Sequence, residues 1–165
     1  MRIIVRPKKR VEPSENHFSF YTKYAFVVLN TLRKPLFQKF LNWMLRKERI
    51  EKHKIKDVQI RMYPFTKENG NGLAGKCNSK GEILLYPKKL EFFREQMQEF
   101  GKENVSFYIR SRAKAALIHE LLHLKYVSDE EKVRELTKKY FNIFTKHQRT
   151  QDLDAHNITK MILTK

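Results

Sequence analysis

The sequence contains a single cysteine, Cys77. That excludes a disulfide scaffold and any zinc knuckle built from cysteines alone. Glycine and proline are scarce, five of each, so collagen-like and low-complexity classes fall away. Every apolar run is interrupted by charge before the ~18 residues that a membrane span needs. The opening MRIIVRPKKR has no apolar stretch followed by a small-residue cleavage site, so no secretory signal is expected and a cytoplasmic protein is. Acidic residues are also scarce: 18 Asp+Glu stand against 35 Lys+Arg, a net charge of +17. A field of that sign attracts polyanions, and DNA or RNA is the partner it points to. What is present in quantity is aromatic and aliphatic: 41% of the 165 residues are hydrophobic, enough for one packed domain.

Periodicity divides the chain. Residues 1–16 read as a basic N-terminal segment with a short strand, the run Lys8-Lys9-Arg10 and a proline-containing linker. Phe20, Tyr21, Tyr24, Val27, Val28 and Leu32 recur at helical spacing. Pro35 suits the first position of a second helix, continued by Leu36, Phe37, Phe40, Leu41 and Met44. The aromatics are expected in the core, with Trp43 and Phe37 against a sheet. A basic run follows, containing Arg46, Lys47, Arg49, Lys52, Lys54 and Lys56; with Lys8, Lys9 and Arg10 it forms the candidate nucleic-acid-binding set. Val58, Ile60 and Met62 then alternate with polar residues as in a strand. Two further strands, 73–78 and 82–86, flank the turn Ser79-Lys80-Gly81. A helix over about 88–100 stops near Gly101, a longer one covers about 106–126, and a last one about 129–147, leaving 148–165 as a tail. The expected class is α+β: N-terminal helices, a short three-stranded sheet, then helices, with the main domain over 17–147.

The chemistry is concentrated in Ala115-Ala116-Leu117-Ile118-His119-Glu120-Leu121-Leu122-His123-Leu124. Four residues apart on a helix, His119 and His123 share one face. Their imidazole nitrogens can then reach one Zn²⁺ at about 2.0–2.1 Å each. Glu120 lies beside them, placed to take a proton from a water attacking a carbonyl. The apolar flanks make the helix buried nearly all round, and burying such polar groups is costly without compensation.

A catalytic zinc commonly has three protein ligands. Ser128 and Glu131 have the spacing of a capping box, which gives Glu131 a structural task. On a helical wheel set by Val133, Leu136, Tyr140 and Phe144, Glu130 lies about 60° from Val133, whereas Glu131 and Glu135 lie about 160° away. Glu130 is the first candidate for third ligand and Asp129 the second; His147 and His156 stay open. Tyr126 and Arg134 are candidate donors to an oxyanion. Cys77 is read as a small buried hydrophobe, or alternatively as a thiolate that holds the site latent.

From roughly Lys56 to Phe144 the chain resembles the zincin metallopeptidases. The ALIHELLHL segment, preceded by Leu73-Ala74-Gly75-Lys76-Cys77 and Glu82-Ile83-Leu84-Leu85-Tyr86, is similar to SprT-like (Spartan-type) proteases, archaeal minigluzincins and ImmA/IrrE-type peptidases. The resemblance implies a zinc endopeptidase with a protein or peptide substrate held extended on a sheet-edge strand, here Glu82 to Tyr86 or its hairpin partner. Several features depart from the pattern. No histidine follows between His123 and His147, as SprT-like proteases require. Tyr126 stands where metzincins have glycine. Glu130-x-x-Val133-Arg134-x-Leu136-Thr137 loosely resembles the E-x-x-A-N-x-F-A run of ImmA-type sequences, at a shorter interval than gluzincins show. The rival function is a basic nucleic-acid- or partner-binding protein on a catalytically silent zincin scaffold.

Overall fold

Strand β2 (Asp57–Arg61) has Val58 and Ile60 fully buried and even Asp57 and Gln59 nearly so, as expected for a strand inside a sheet with both faces covered. The computed structural model, which describes residues 1–7 and 15–148, gives it a neighbour on each side. β1 (Ile3–Arg6) pairs parallel to it, Ile3 opposite Val58, and β4 (Glu82–Leu85) pairs parallel on the other side. β3 (Gly75–Cys77) runs antiparallel to β4 and closes the order β1-β2-β4-β3. Among the described residues the sheet thus has four strands where three were expected. The fourth, Ile3–Arg6, pairs with residues some fifty positions away, and a parallel pairing leaves no hairpin turn in the sequence.

The β3–β4 turn is built by its own residues. Asn78 Oδ1 accepts from the Lys80 and Glu82 backbone N–H groups. Gly81 has φ 73°, and a Cβ there would stand 1.8 Å from the Lys54 carbonyl oxygen, so only glycine fits.

Among the described residues four α-helices complete the class expected, α+β: α1 (Glu15–Leu32), α2 (Pro35–Glu48), α3 (Leu90–Tyr126) and α4 (Glu130–His147). α3 is interrupted at Gly101, whose φ of 80° and ψ of 166° are not helical, which is where the sequence stops its first segment. α1 and α3 pack together, with Phe20 and Tyr24 against Phe93. α4 lies on α3, and α2 on α4. Phe37 and Trp43 meet Phe144 and Tyr140 of α4, not the sheet as expected. Hydrophobic spacing shows which face of a helix is covered, but it does not name the covering element. Leu117, Ile118, Leu121 and Leu122, the apolar flanks of the two histidines, have no exposed surface. None of the described helices is long and apolar enough to cross a membrane.

Candidate metal centre and its cleft

From Ser111 to Leu122 α3 is almost wholly buried, and the partly accessible positions in that stretch are the polar Lys114 and His119. His119 and His123 stand a turn apart on α3, half-buried, with their Nε2 atoms 3.1 Å from each other. The short link after α3 then folds back, with the Asp129 N–H donating to the Tyr126 carbonyl at 2.7 Å. Asp129 is the N-cap of α4: its side chain accepts from the Lys132 N–H at 3.0 Å. The capping box expected from Ser128 and Glu131 does not form. Aspartate and serine cap equally well, so residue preference alone could not place the helix start within one residue. The consequence is that Glu130 is the first helical residue. Its carboxylate reaches back over the link, 3.5 Å from His119 Nε2 and 3.2 Å from His123 Nε2.

Among the described residues, His119, His123 and Glu130 are the group of histidine, cysteine and acidic side chains able to hold a metal, each offering a donor atom within 4.8 Å of the others. Two ligands on a tetrahedral zinc stand ~3.3 Å apart, close to the observed separation of the two imidazoles. Asp129, spent on the helix cap, is not in this group, and neither are Glu131 and His147. His156 lies outside the described residues.

A group that the sequence reading missed orients the first imidazole. Thr137, buried on α4, donates its hydroxyl to the Val133 carbonyl at 2.7 Å. Its oxygen lies 3.4 Å from His119 Nδ1, and with the hydroxyl proton on the Val133 carbonyl it is placed to accept from that nitrogen. Such a contact favours the tautomer with the proton on Nδ1 and the lone pair on Nε2, facing Glu130. The available signal was a small polar residue one turn after Val133 and one before Tyr140, on the apolar face of the helix. Burial, helped by the charges of His123 and Arg134 and opposed by Glu130, pulls the His119 imidazole down to about 4. It is therefore neutral at ordinary pH. Arg134 Nε donates to Glu130 Oε1 at 3.0 Å.

Glu120 points off the same stretch of helix toward β3 and is only 6% exposed. Burial lifts its carboxyl to about 7, with Glu130 adding to the shift and a hydrogen bond to the Cys77 backbone opposing it. Gly75 makes the approach feasible: a Cβ there would lie 2.7 Å from Glu120 Cγ and 2.8 Å from its Oε1. An open cleft of about 1150 Å³ runs past this group, lined among others by Gly75, Cys77, His119, Glu120, His123 and Glu130.

The remaining expectations divide. Glu82–Leu85 is not an edge strand: β4 is flanked by β2 and β3, and Tyr86 falls just past its end, donating its N–H to Ala74. Among the described strands, the edge on this side of the sheet is the hairpin partner, β3. Ala74 and Asn78 bond to β4 through their backbones, so by strand alternation the backbone groups of Gly75 and Cys77 face away from it, toward the cleft. Tyr126 is drawn elsewhere, its hydroxyl donating to Glu48 Oε2 at 2.7 Å, whereas Arg134 does line the cleft. Cys77 is half-buried, and burial and the nearby Glu120 charge push its thiol up to about 11, which opposes the thiolate reading. Arg46, Lys47, Arg49, Lys52, Lys54 and Lys56 are all exposed between the end of α2 and the start of β2. Within that set Lys56 is paired with Glu82 at 2.7 Å and Lys54 with Glu51 at 3.5 Å. Lys8, Lys9 and Arg10 lie outside the described residues. No protein-family model, curated protein or solved structure matches the chain.

Proposed function

We propose that the chain is a zinc-dependent endopeptidase of the gluzincin type, a cytoplasmic protein acting on protein or peptide substrates. The observation that carries this reading is the buried Glu120 carboxyl, set between a His₂Glu donor set and β3, which is an edge of the sheet among the described strands. His119 Nε2, His123 Nε2 and a Glu130 oxygen would hold the metal, which supplies a Lewis acid for the carbonyl and for water. Glu120 takes the proton of the attacking water on a carboxylate oxygen and passes it to the departing amine. A group whose pKa is near the working pH serves both transfers. Gly75, with no side chain and its backbone turned outward, pairs with an extended substrate and brings a peptide bond over Glu120. Thr137 keeps His119 in the ligating tautomer, and Arg134 steadies Glu130.

The test is hydrolysis of an unstructured polypeptide by the zinc-loaded protein. Glu120→Gln keeps the shape of the side chain and lowers the rate about 10²–10⁴-fold; a chelator abolishes hydrolysis, and added zinc restores it. A parent protein that binds zinc and cuts none of a broad set of peptides contradicts the proposal. The exposed basic stretch between Arg46 and Lys56 favours the second reading, a nucleic-acid- or partner-binding protein on a silent scaffold. That reading requires DNA or RNA binding that weakens steeply with salt.

A further inference from the structure

The walls of the cleft carry a charge pattern that the proposed chemistry does not use. On the His123 side they include Lys54, Lys76 and Lys80, and on the Thr137 side Lys138, while Lys67 and Arg134 line both sides. Among the described residues, Glu120 and Glu130 are the sole acidic side chains that line it, and both belong to the centre itself. Lys67, Lys76, Lys80 and Lys138 are exposed, and among the described residues none has a carboxylate within ion-pair distance. Like charges gathered along one groove repel each other, and a groove focuses their field on whatever enters it.

We infer that this cleft takes an acidic polypeptide segment, laid extended along β3 with carboxylate side chains on both sides of the peptide bond that sits over Glu120. The inference rests on the proposed peptidase reading and names its substrate class. A polypeptide is favoured over nucleic acid because the cleft's floor is a strand edge. The outward backbone groups of Gly75 match another strand's N–H and C=O groups at the usual ~4.7–4.9 Å spacing, and a sugar-phosphate chain has no such ladder. Acidic flanks then add exposed ion pairs, each modest alone and additive along the groove.

The experiment compares three fluorescent peptides of one length, with Asp/Glu, Ser/Gln or Lys flanks around the same central residues. Their binding to zinc-loaded Glu120→Gln protein is measured alongside their hydrolysis by the parent. The acidic peptide should bind about tenfold tighter than the neutral one at low salt, with the advantage shrinking as salt rises. Lys67→Glu with Lys76→Glu should remove the advantage, and Lys67→Gln with Lys76→Gln should reduce it without introducing new charge. Lys23→Glu with Lys39→Glu, on α1 and α2 away from the cleft, makes the same change in net charge and should keep most of it. Equal binding and equal cutting of all three peptides overturns the inference and leaves the peptidase reading standing. Acidic binding that depends on Lys67 and Lys76 but never leads to cutting keeps the inference and overturns the peptidase reading. A control pair that loses as much as the cleft pair, or a single-stranded oligonucleotide that outcompetes the acidic peptide, overturns the inference.

Discussion

Two buried glutamates, Glu48 on α2 and Glu120 on α3, have opposite fates. Glu48, at the end of α2, is 8% exposed, and Glu120 is 6% exposed, so burial alone does not distinguish them. Glu48 is fully partnered. Tyr140 and Tyr126 donate their hydroxyls to its two carboxylate oxygens, and Lys125 Nζ lies 3.6 Å from Oε2 and bonds the Glu48 carbonyl at 2.7 Å. Burial pushes the Glu48 carboxyl up, yet these partners outweigh it and leave it below its ordinary value. Glu120 has burial with one backbone hydrogen bond against it, and it rises to about 7. The comparison teaches that the number of donors aimed at a buried carboxylate decides whether its pKa falls or rises. Glu48 ties α2, the end of α3 and α4 into one corner, and that corner sets where Glu130 stands. Glu120 is left under-partnered where a substrate would arrive.

Substitutions can break this contrast. The largest effect expected is Glu120→Gln, with hydrolysis down about 10²–10⁴-fold while the melting temperature changes little. Glu48→Gln should do the reverse, losing about 2 kcal/mol of stability in urea titrations at pH 7. Its pH dependence follows in sign from the lowered carboxyl. The stability contributed by ionised Glu48 is present above the ordinary value of 4.5 and is lost as pH falls through the lower folded value. The gap between parent and variant should therefore narrow at strongly acid pH. Next comes Gly75→Ala, whose methyl group would press on Glu120 at 2.7 Å. It should cost about 1–3 kcal/mol by overpacking and reduce hydrolysis by displacing the carboxylate. Smallest is the pair at the start of α4. Asp129→Ala should cost about 1 kcal/mol through the lost cap, and Glu131→Ala close to nothing, as thermal melts of the two would show.

The contrast also marks what was legible in the sequence. His119, Glu120 and His123 were identifiable because helix geometry converts a spacing of four residues into one face. The turn at Ser79-Lys80-Gly81 was visible because turn chemistry is local. Glu130 emerged from the wheel, though the accompanying capping argument chose Ser128 where Asp129 caps. What stayed hidden depends on distant partners. Ile3–Arg6 joins the sheet by a parallel pairing with no signal at either strand. Tyr126, three residues after His123, looked like a donor to the reaction, but its hydroxyl is taken by Glu48, some eighty positions earlier. Thr137 is an ordinary residue until α4 packs against His119.

The measurement that bears most directly on the central claim is zinc stoichiometry and affinity, by titration of metal-free protein, for the parent and four variants. One zinc per chain is expected in the parent and in Glu120→Gln, markedly weaker binding in Glu130→Ala, unchanged binding in Glu131→Ala, and none in His119→Ala with His123→Ala. Full stoichiometry at parental affinity in the double histidine variant would contradict that claim.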